Sequence, residues 1–308
     1  MARRRRKALT VVCWLYPGKR NYRPKYVNVL YQQVQKHLPL KHRFVCIYDE
    51  RSYRPEQFDA GIELLPIPKA ARPLLSLGSL GGRMHPACFA RLWHFSDEAA
   101  KAFPGRVFMF DVDSIPIGDL SPLVEYQSSA DFISMYRPSS SRGRSSPYVT
   151  GGSWILRSGA FPEVWGDFIA DPVKARADAL EWFLNGHDQR VIGWPGGSDQ
   201  CYMSYRFVPV IEAHGPVTYW GEDCGILLWN HFRLQRGKVE GRLLHFNGPS
   251  KPWDVDWPLT RQLYGAEEYR VINKPLRYGK HKYGIGDCFV AKKSDALALV
   301  IMRRIEAA

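Results

Sequence analysis

The sequence lacks an apolar stretch long enough to cross a membrane. The first apolar run, residues 8–16, follows basic residues but leads into Pro17, and it is too short and wrongly flanked for a signal peptide, so it predicts a first β-strand. The six cysteines are scattered and include no Cys-x-x-Cys pair, which argues against a zinc site. We therefore expect reduced thiols and a cytoplasmic protein.

The sequence is also short of acidic residues, because 43 Lys and Arg face 30 Asp and Glu, giving a net charge of +13. This excess is concentrated in residues 3–7 and 270–308, so the body of the chain is nearly neutral. A neutral body argues against a basic nucleic-acid groove through the core. The basic ends suit a peripheral contact with an anionic membrane surface or a polyanion, or they are solvated tails.

The first predicted elements alternate between strand and helix. Residues 8–16 and 43–48 are apolar strands, and residues 25–38 between them have the spacing of an amphipathic helix. This order predicts an α/β fold with a mostly parallel sheet flanked by helices. The chain shows no internal repeat. We expect a basic tail (1–7), one large domain (8–256) and a basic C-terminal extension (257–308).

Further along, periodicity predicts helices over 86–103 and 161–184 and a helix beginning near Ser198. A strand over 150–156 is entered through glycines, which allow the backbone to approach a ligand closely. Residues 208–211 and 243–246 are predicted as short strands. A final helix is predicted over 296–305.

An Asp-x-Asp pattern follows a strongly apolar segment, Val107–Phe110, which predicts a buried strand. In an extended segment the side chains of Asp111 and Asp113 would point to the same side. Ligands of open α/β sheets bind at the carboxyl ends of strands. Two carboxylates at such an end repel each other unless a cation lies between them, and hard oxygen ligands suit Mg²⁺ or Mn²⁺. The alternative is an ordinary polar turn.

A second pattern lies far downstream and contains His245, Gly248 and Lys251. Histidine can supply a nitrogen ligand to a metal, and lysine can hold a phosphate as a compact cation. The glycine between them permits a tight turn, so that both side chains could face one anion. Each residue alone would more often be structural or solvated.

Together these patterns resemble family 8 glycosyltransferases. Residues 111–123 resemble the family's DxD…GDLSPL segment, and residues 245–253 match its HxxGxxKPW motif in every fixed position. The segments at 89–92, 151–153 and 198–200 resemble its Tyr-x-Arg-Leu helix, its glycine-entered strand and its Asp-Gln motif. The resemblance covers residues 8 to 255 in the family's order.

The resemblance implies a GT-A fold, that is, a Rossmann-like mixed sheet with a nucleotide-sugar site at the strand ends. It also implies Mn²⁺ (or Mg²⁺), a UDP-sugar donor and retention of anomeric configuration. The implied metal ligands are Asp111, Asp113 and His245. The implied diphosphate contacts are Gly248 and Lys251.

For the reaction centre, the resemblance implies that Arg91 approaches the donor sugar or Asp111. Asp199 and Gln200 are the implied catalytic residues. A second Asp-Gln pair, residues 188–189, competes for that assignment. The tyrosine that stacks on the uracil is either Tyr16 or Tyr22.

The function expected from these residues is transfer of a hexose from a UDP-sugar to a glycan, lipid-linked or protein acceptor. One alternative is an α/β nucleotidyltransferase, although the chain lacks the glycine-rich, lysine-containing loop expected near the first strand. Another is a nucleic-acid-binding protein with an inactive transferase-like body. A third alternative combines transferase activity with nucleic-acid binding. In this case the protein transfers a sugar to DNA or another polyanion, and its basic ends bind that polyanion.

Overall fold

The computed structural model describes residues 8–17, 22–77, 86–136, 149–186, 198–221, 224–229, 241–246, 251–254, 258–264, 267–271, 276–278, 281–283, 288–291 and 305–307. The chain forms two compact units. The first contains residues up to Leu227 and residues 238–245, and the second contains residues 228–237 and 246–308. The expectation of a domain boundary after residue 256 stays a prediction.

The described chain up to His245 contains ten strands and six α-helices. The strands are β1 (Leu9–Leu15), β2 (Arg43–Tyr48), β3 (Glu63–Pro66), β4 (Arg106–Phe110), β5 (Ser114–Pro116), β6 (Phe132–Tyr136), β7 (Val149–Arg157), β8 (Val217–Trp220), β9 (Ile226–Leu228) and β10 (Leu243–His245). The helices are α1 (Pro24–His37), α2 (Asp97–Ala102), α3 (Ser121–Glu125), α4 (Pro162–Ala170), α5 (Pro172–Gly186) and α6 (Asp199–Glu212). Short 3₁₀ helices cover Pro55–Gln57, Arg72–Ser76 and Pro86–Phe95.

Seven strands form one mixed sheet in the order β3-β2-β1-β4-β7-β6-β8. All neighbours are parallel except β7, which is antiparallel to both β4 and β6. The expected mixed, mostly parallel sheet with flanking helices is confirmed. A second sheet of three strands, β5-β10-β9, places His245 directly opposite Ser114.

The centre of the large sheet is strand β4, whose five residues are all buried. It is parallel to β1 on one side and antiparallel to β7 on the other. Aromatic side chains fill the core beside the sheet, where the rings of Phe132 and Phe207 stack with centroids 4.5 Å apart. Burying a side chain of this size stabilises the fold by roughly 1.5–3 kcal/mol.

Several predicted elements differ from the structure. The predicted helix over 86–103 is a 3₁₀ helix followed by α2, because Ser96 takes extended backbone and caps α2 by accepting a hydrogen bond from the Ala99 N–H at 3.1 Å. The predicted helix over 161–184 is two helices, since Asp171 and Pro172 interrupt it. The predicted strand 208–211 is wrong, because these residues continue α6 despite Pro209.

In the described residues of the second unit, the structure shows helix α7 (Pro258–Tyr264) and five strands. These are β11 (Glu267–Val271), β12 (Leu276–Tyr278), β13 (His281–Tyr283), β14 (Cys288–Ala291) and β15 (Ile305–Ala307), paired as β14-β11-β15 and β12-β13. The predicted final helix falls mostly outside the described residues, and its last position, Ile305, begins strand β15. Among the described residues, no helix has the length and apolarity needed to cross a membrane.

Candidate active site

Three potential metal ligands lie together at the carboxyl end of β4. Asp111, Asp113 and His245 each offer one ligand atom, and these atoms all lie within 4.8 Å of one another. Asp113 and His245 are buried, with 3% and 8% of their surface exposed, whereas Asp111 is half-buried. Within the part of the chain that the structure describes, this is the one such group of three or more.

The Asp-x-Asp segment is a turn, so the expected extended geometry is wrong. The Asp111 N–H donates to the Gly152 carbonyl oxygen at 2.8 Å, which ends the pairing with β7. The Ser114 N–H then donates back to the Asp111 carbonyl oxygen at 3.0 Å, and β5 begins at once. Asp111 and Asp113 are therefore brought together by a turn of the chain, and not by the alternation of side chains along an extended strand.

The imidazole of His245 comes to the cluster from strand β10. Its Nδ1 lies 3.1 Å from the Ser114 hydroxyl oxygen. On another side the ring lies against Gly152, where a Cβ would be 2.2 Å from the imidazole Cε1. The glycine that the sequence indicated as an approach point for a ligand therefore makes room for a histidine side chain.

Arg91 joins the metal-ligand cluster to Asp199. Its Nη1 donates to Asp111 and to the Gly151 carbonyl oxygen, and its Nη2 donates to Asp199 Oδ2 at 2.5 Å. Arg91 is only 7% exposed. Burying a charge without partners is costly, and these hydrogen bonds to carboxylates offset that cost. The planar guanidinium fork suits this arrangement, since it reaches two carboxylates at once.

The charges around Arg91 shift the pKa values of its neighbours. Burial would lower the Arg91 pKa, but the carboxylates of Asp199 and Asp111 raise it well above its usual range. Burial also raises the pKa of the Cys88 thiol, and the nearby Asp199 carboxylate adds to the effect. The guanidinium is therefore permanently charged and the thiol protonated at neutral pH.

Asp199 begins helix α6 and is 1% exposed. Both its oxygens have partners, because Oδ2 accepts from Arg91 and Oδ1 accepts from the Gln200 N–H at 2.9 Å. Gly151 leaves the space for this grouping, since a Cβ there would lie 2.9 Å from both Arg91 Nη2 and Gln200 Cγ. The two carboxylate oxygens are thus held in fixed directions.

The two tyrosine candidates differ in position. Burial raises the pKa of the Tyr16 hydroxyl; the charge of Arg91 opposes this shift, and the carboxylates of Asp111 and Asp199 add to it. Tyr16 follows β1, at the same sheet edge as the Asp-x-Asp turn. Tyr22 instead accepts a hydrogen bond from the Tyr53 hydroxyl through its carbonyl oxygen at 3.1 Å. The structure therefore brings Tyr16 close to Arg91, Asp111 and Asp199.

Some predicted site residues lie elsewhere in the chain. Gly248 and the competing pair 188–189 fall outside the described residues. Lys251 is buried and belongs to the second unit. The assignments of Gly248 and Lys251 to the diphosphate therefore remain proposals.

The residues present fit a divalent cation. Two carboxylates and one imidazole form a mixed oxygen and nitrogen donor set, which suits Mn²⁺ and, through its oxygens, Mg²⁺. The carboxylates come from a turn and the imidazole from a separate sheet, so the group is held by two parts of the fold. Gly152 keeps free the volume that the imidazole needs.

Sequence reasoning gave no role to Ser114 or Cys88. Ser114 directly follows the Asp-x-Asp pattern, but its pairing with His245 depends on the antiparallel register of β5 and β10. Cys88 lies one turn before Arg91, and its carbonyl oxygen accepts from Arg91 Nε at 3.4 Å. A serine or cysteine beside a motif carries no signal that would reveal such long-range contacts.

Comparisons with known proteins agree at the level of the fold. No protein family model matches the sequence, and no curated protein matches it. The galactosyltransferase LgtC, solved with donor and acceptor sugar analogues, is similar in structure with a TM-score of 0.52 and 16% identity, covering 83% of this chain and 95% of LgtC. A Q189E active-site mutant of LgtC gives a TM-score of 0.53 at 14% identity, with the same coverage. The chain therefore has the mixed α/β fold of GT-A glycosyltransferases.

Proposed function

We propose that this protein is a metal-dependent glycosyltransferase that transfers a hexose from a UDP-sugar with retention of configuration. The observation that carries the proposal is the cluster of Asp111, Asp113 and His245, connected through Arg91 to Asp199 at one edge of a GT-A sheet. A divalent cation at the metal site can neutralise the diphosphate of a nucleotide-sugar, and a buried carboxylate can accept hydrogen bonds from the sugar hydroxyls.

In this proposal Asp111, Asp113 and His245 hold Mn²⁺ or Mg²⁺. The cation, when bound, supplies positive charge to the diphosphate as the sugar–phosphate bond breaks. The resemblance to family 8 also assigns Gly248 and Lys251 to this diphosphate. Stabilising charge that grows only as the bond breaks lowers the barrier, because the transition state gains more than the bound donor does.

Arg91 and Asp199 act on the sugar end of the donor. Arg91 donates to both Asp111 and Asp199 and so holds the two carboxylates at a fixed separation. Both Asp199 oxygens already accept hydrogen bonds, and the residue is almost fully buried. This arrangement favours a role in which Asp199 orients sugar hydroxyls beside Gln200. Retention then follows because the acceptor hydroxyl attacks the anomeric carbon on the face from which the diphosphate departs, and the departing diphosphate takes the hydroxyl proton.

Tyr16 is the proposed stacking residue for the uracil, since it lies at the same sheet edge as the cluster. The acceptor is a glycan, a lipid-linked sugar or a protein. LgtC is a galactosyltransferase studied with both donor and acceptor sugar analogues. The basic ends of this chain provide a peripheral contact with an anionic membrane or another polyanion.

Calorimetric titration of UDP into the full chain tests the proposal. With Mn²⁺ present, binding is expected, and with EDTA it should be lost. Replacing Asp113 with Asn should remove both the metal-dependent binding and the hydrolysis of a UDP-sugar, whereas Asp167→Asn, at an exposed ion pair with Arg206 on α6, should leave them unchanged. Equal UDP binding with and without metal, or unchanged turnover in Asp113→Asn, would reject the metal-dependent function.

A further inference from the structure

The imidazole of His245 has a buried hydroxyl as its neighbour. Strands β5 and β10 are antiparallel, and their register places His245 directly opposite Ser114. The Ser114 oxygen lies 3.1 Å from His245 Nδ1. Ser114 is completely buried, so water does not compete for this hydroxyl. The backbone N–H of Ser114 donates a hydrogen bond to the Asp111 carbonyl oxygen.

A second contact fixes the same ring. A Cβ on Gly152 would lie 2.2 Å from Cε1, 2.6 Å from Nε2 and 2.8 Å from Nδ1 of His245. The backbone of β7 therefore blocks movement of the imidazole in that direction. The ring is held between the backbone of one sheet and a hydroxyl group of the other.

We propose that Ser114 is a positioning residue for the metal site, because its hydroxyl accepts the Nδ1–H of His245 and leaves Nε2 as the ligand atom. A neutral imidazole carries one proton, so the group that binds at one nitrogen decides whether the other nitrogen has a free lone pair. If Ser114 donated to Nδ1 instead, Nε2 would carry the proton and could not bind a cation. This inference rests on the metal site of the proposed function.

The proposed contact also bears on which cation is preferred. Imidazole nitrogen suits transition metals such as Mn²⁺, whereas Mg²⁺ binds chiefly through oxygen. Asp111 and Asp113 supply oxygen ligands to either ion. Loss of the Ser114 contact should therefore weaken Mn²⁺ binding more than Mg²⁺ binding. Ser114 would then contribute to metal selectivity without touching the metal.

The experiment measures Mn²⁺ and Mg²⁺ binding to the full chain by calorimetry, without nucleotide. Ser114→Ala should weaken Mn²⁺ binding about 10-fold or more, which is the usual cost of losing such an outer contact, and should change Mg²⁺ binding less. Ser114→Thr keeps the hydroxyl at a strand position and should retain most of the Mn²⁺ affinity. Ser96→Ala, which removes a buried hydroxyl that caps α2, is the control and should leave both affinities unchanged.

A second experiment determines which nitrogen of the His245 imidazole carries the proton. Nitrogen-15 NMR of the metal-free protein should show His245 protonated at Nδ1, with the signal assigned by its loss in His245→Gln. In Ser114→Ala the proton should distribute over both nitrogens. A merely structural role for Ser114 would change neither the tautomer nor the ratio of Mn²⁺ to Mg²⁺ affinity.

The outcomes separate this inference from the proposed function. If the wild-type chain binds no Mn²⁺, both are wrong. If the wild type binds Mn²⁺ and Ser114→Ala binds it equally well, the metal site stands and the role of Ser114 is rejected. A wild-type tautomer with the proton on Nε2 would also reject that role, even if Ser114→Ala failed to fold.

Discussion

Arg91 and Asp199 are 108 positions apart in the sequence, and they form a buried ion pair in which Nη2 lies 2.5 Å from Oδ2. The pair connects the 3₁₀ helix before β4 with the start of α6. The second terminal nitrogen of Arg91 donates to Asp111, so one guanidinium serves two carboxylates. Removing Arg91 would leave the buried Asp199 carboxylate without this counter-charge, whereas removing Asp199 would leave Arg91 paired with Asp111.

Arg91→Met is expected to lower the free energy of unfolding by about 3–5 kcal/mol, because it leaves the buried Asp199 carboxylate without compensation. The double variant Arg91→Met with Asp199→Asn should lose less than the sum of the two single changes. Urea denaturation of the four proteins measures this coupling. Additive losses would mean that the two side chains do not stabilise each other.

Gly152→Ala should weaken metal binding while the fold remains. The new methyl would lie 2.2 Å from the His245 imidazole, which must then shift from its position in the cluster with Asp111 and Asp113. Gly166→Ala is the matched control, since a Cβ at that exposed position of α4 would have no atom within 4 Å beyond the neighbouring helix backbone. The control should stabilise the protein by up to about 1 kcal/mol through helix propensity. Mn²⁺ calorimetry and thermal melting give the two readouts, and unchanged Mn²⁺ affinity in Gly152→Ala would contradict the expected displacement.

The parts of the fold that are set by local pattern could be predicted from the sequence. Strand β4 has four consecutive apolar residues, and helix α1 has its apolar positions at helical spacing, so both were predicted almost to their bounds. The end of α6 could not be predicted, because residues 208–211 resemble a short apolar strand. Packing decides this case, since Phe207 and Val208 are buried within the helix.

The residues of the candidate site could be predicted from the sequence, but their geometry could not. Residue type and motif spacing indicated Asp111, Asp113 and His245 as candidate metal ligands. The structure brings these three residues together. Their geometry was not predictable, because it depends on a turn and on the pairing of β5 with β10. The contact between Gly152 and His245 likewise depends on tertiary structure, and the sequence showed only that a glycine was present.

His94 should make the stability of the protein depend on pH between about 6.5 and 3. Burial lowers the pKa of His94 from 6.5 to about 3, and the nearby Arg91 charge adds to this effect. Its Nε2 accepts a hydrogen bond from the Trp14 indole N–H at 2.9 Å, which requires the neutral ring. The unfolded chain binds the proton more readily, so stability is complete above pH 6.5 and falls as the pH is lowered towards 3.

The expected loss approaches about 1.4 kcal/mol for each pH unit below 6.5. Urea denaturation of the wild type and of His94→Gln between pH 6.5 and 5 measures it. Glutamine keeps an acceptor for Trp14 but does not titrate, so the variant should lose this part of the slope. Identical slopes in the two proteins would show that His94 is not buried in its neutral form.

Asp199→Asn tests whether this carboxylate orients the donor or forms a bond to it. Loss of a charged hydrogen-bonding group costs roughly 1.5–3 kcal/mol, so an orienting role predicts a fall in kcat/KM of about 10- to 100-fold. Loss of a nucleophile would cost far more, on the order of 10⁶-fold in other enzymes. Because both Asp199 oxygens already accept hydrogen bonds in the buried site, we expect the smaller effect.

Intact-mass measurement gives an independent answer for the same residue. Wild-type protein incubated with UDP-sugar and metal, without acceptor, should gain no hexosyl mass if Asp199 only orients the donor. Asp167→Asn again serves as control, because Asp167 also pairs with an arginine but is 60% exposed, and its kinetics should match the wild type. A covalent hexosyl adduct that forms on the wild type and disappears in Asp199→Asn would make Asp199 the nucleophile. Retention would then proceed through two displacements, because a covalent intermediate must be formed and then broken with inversion at each step.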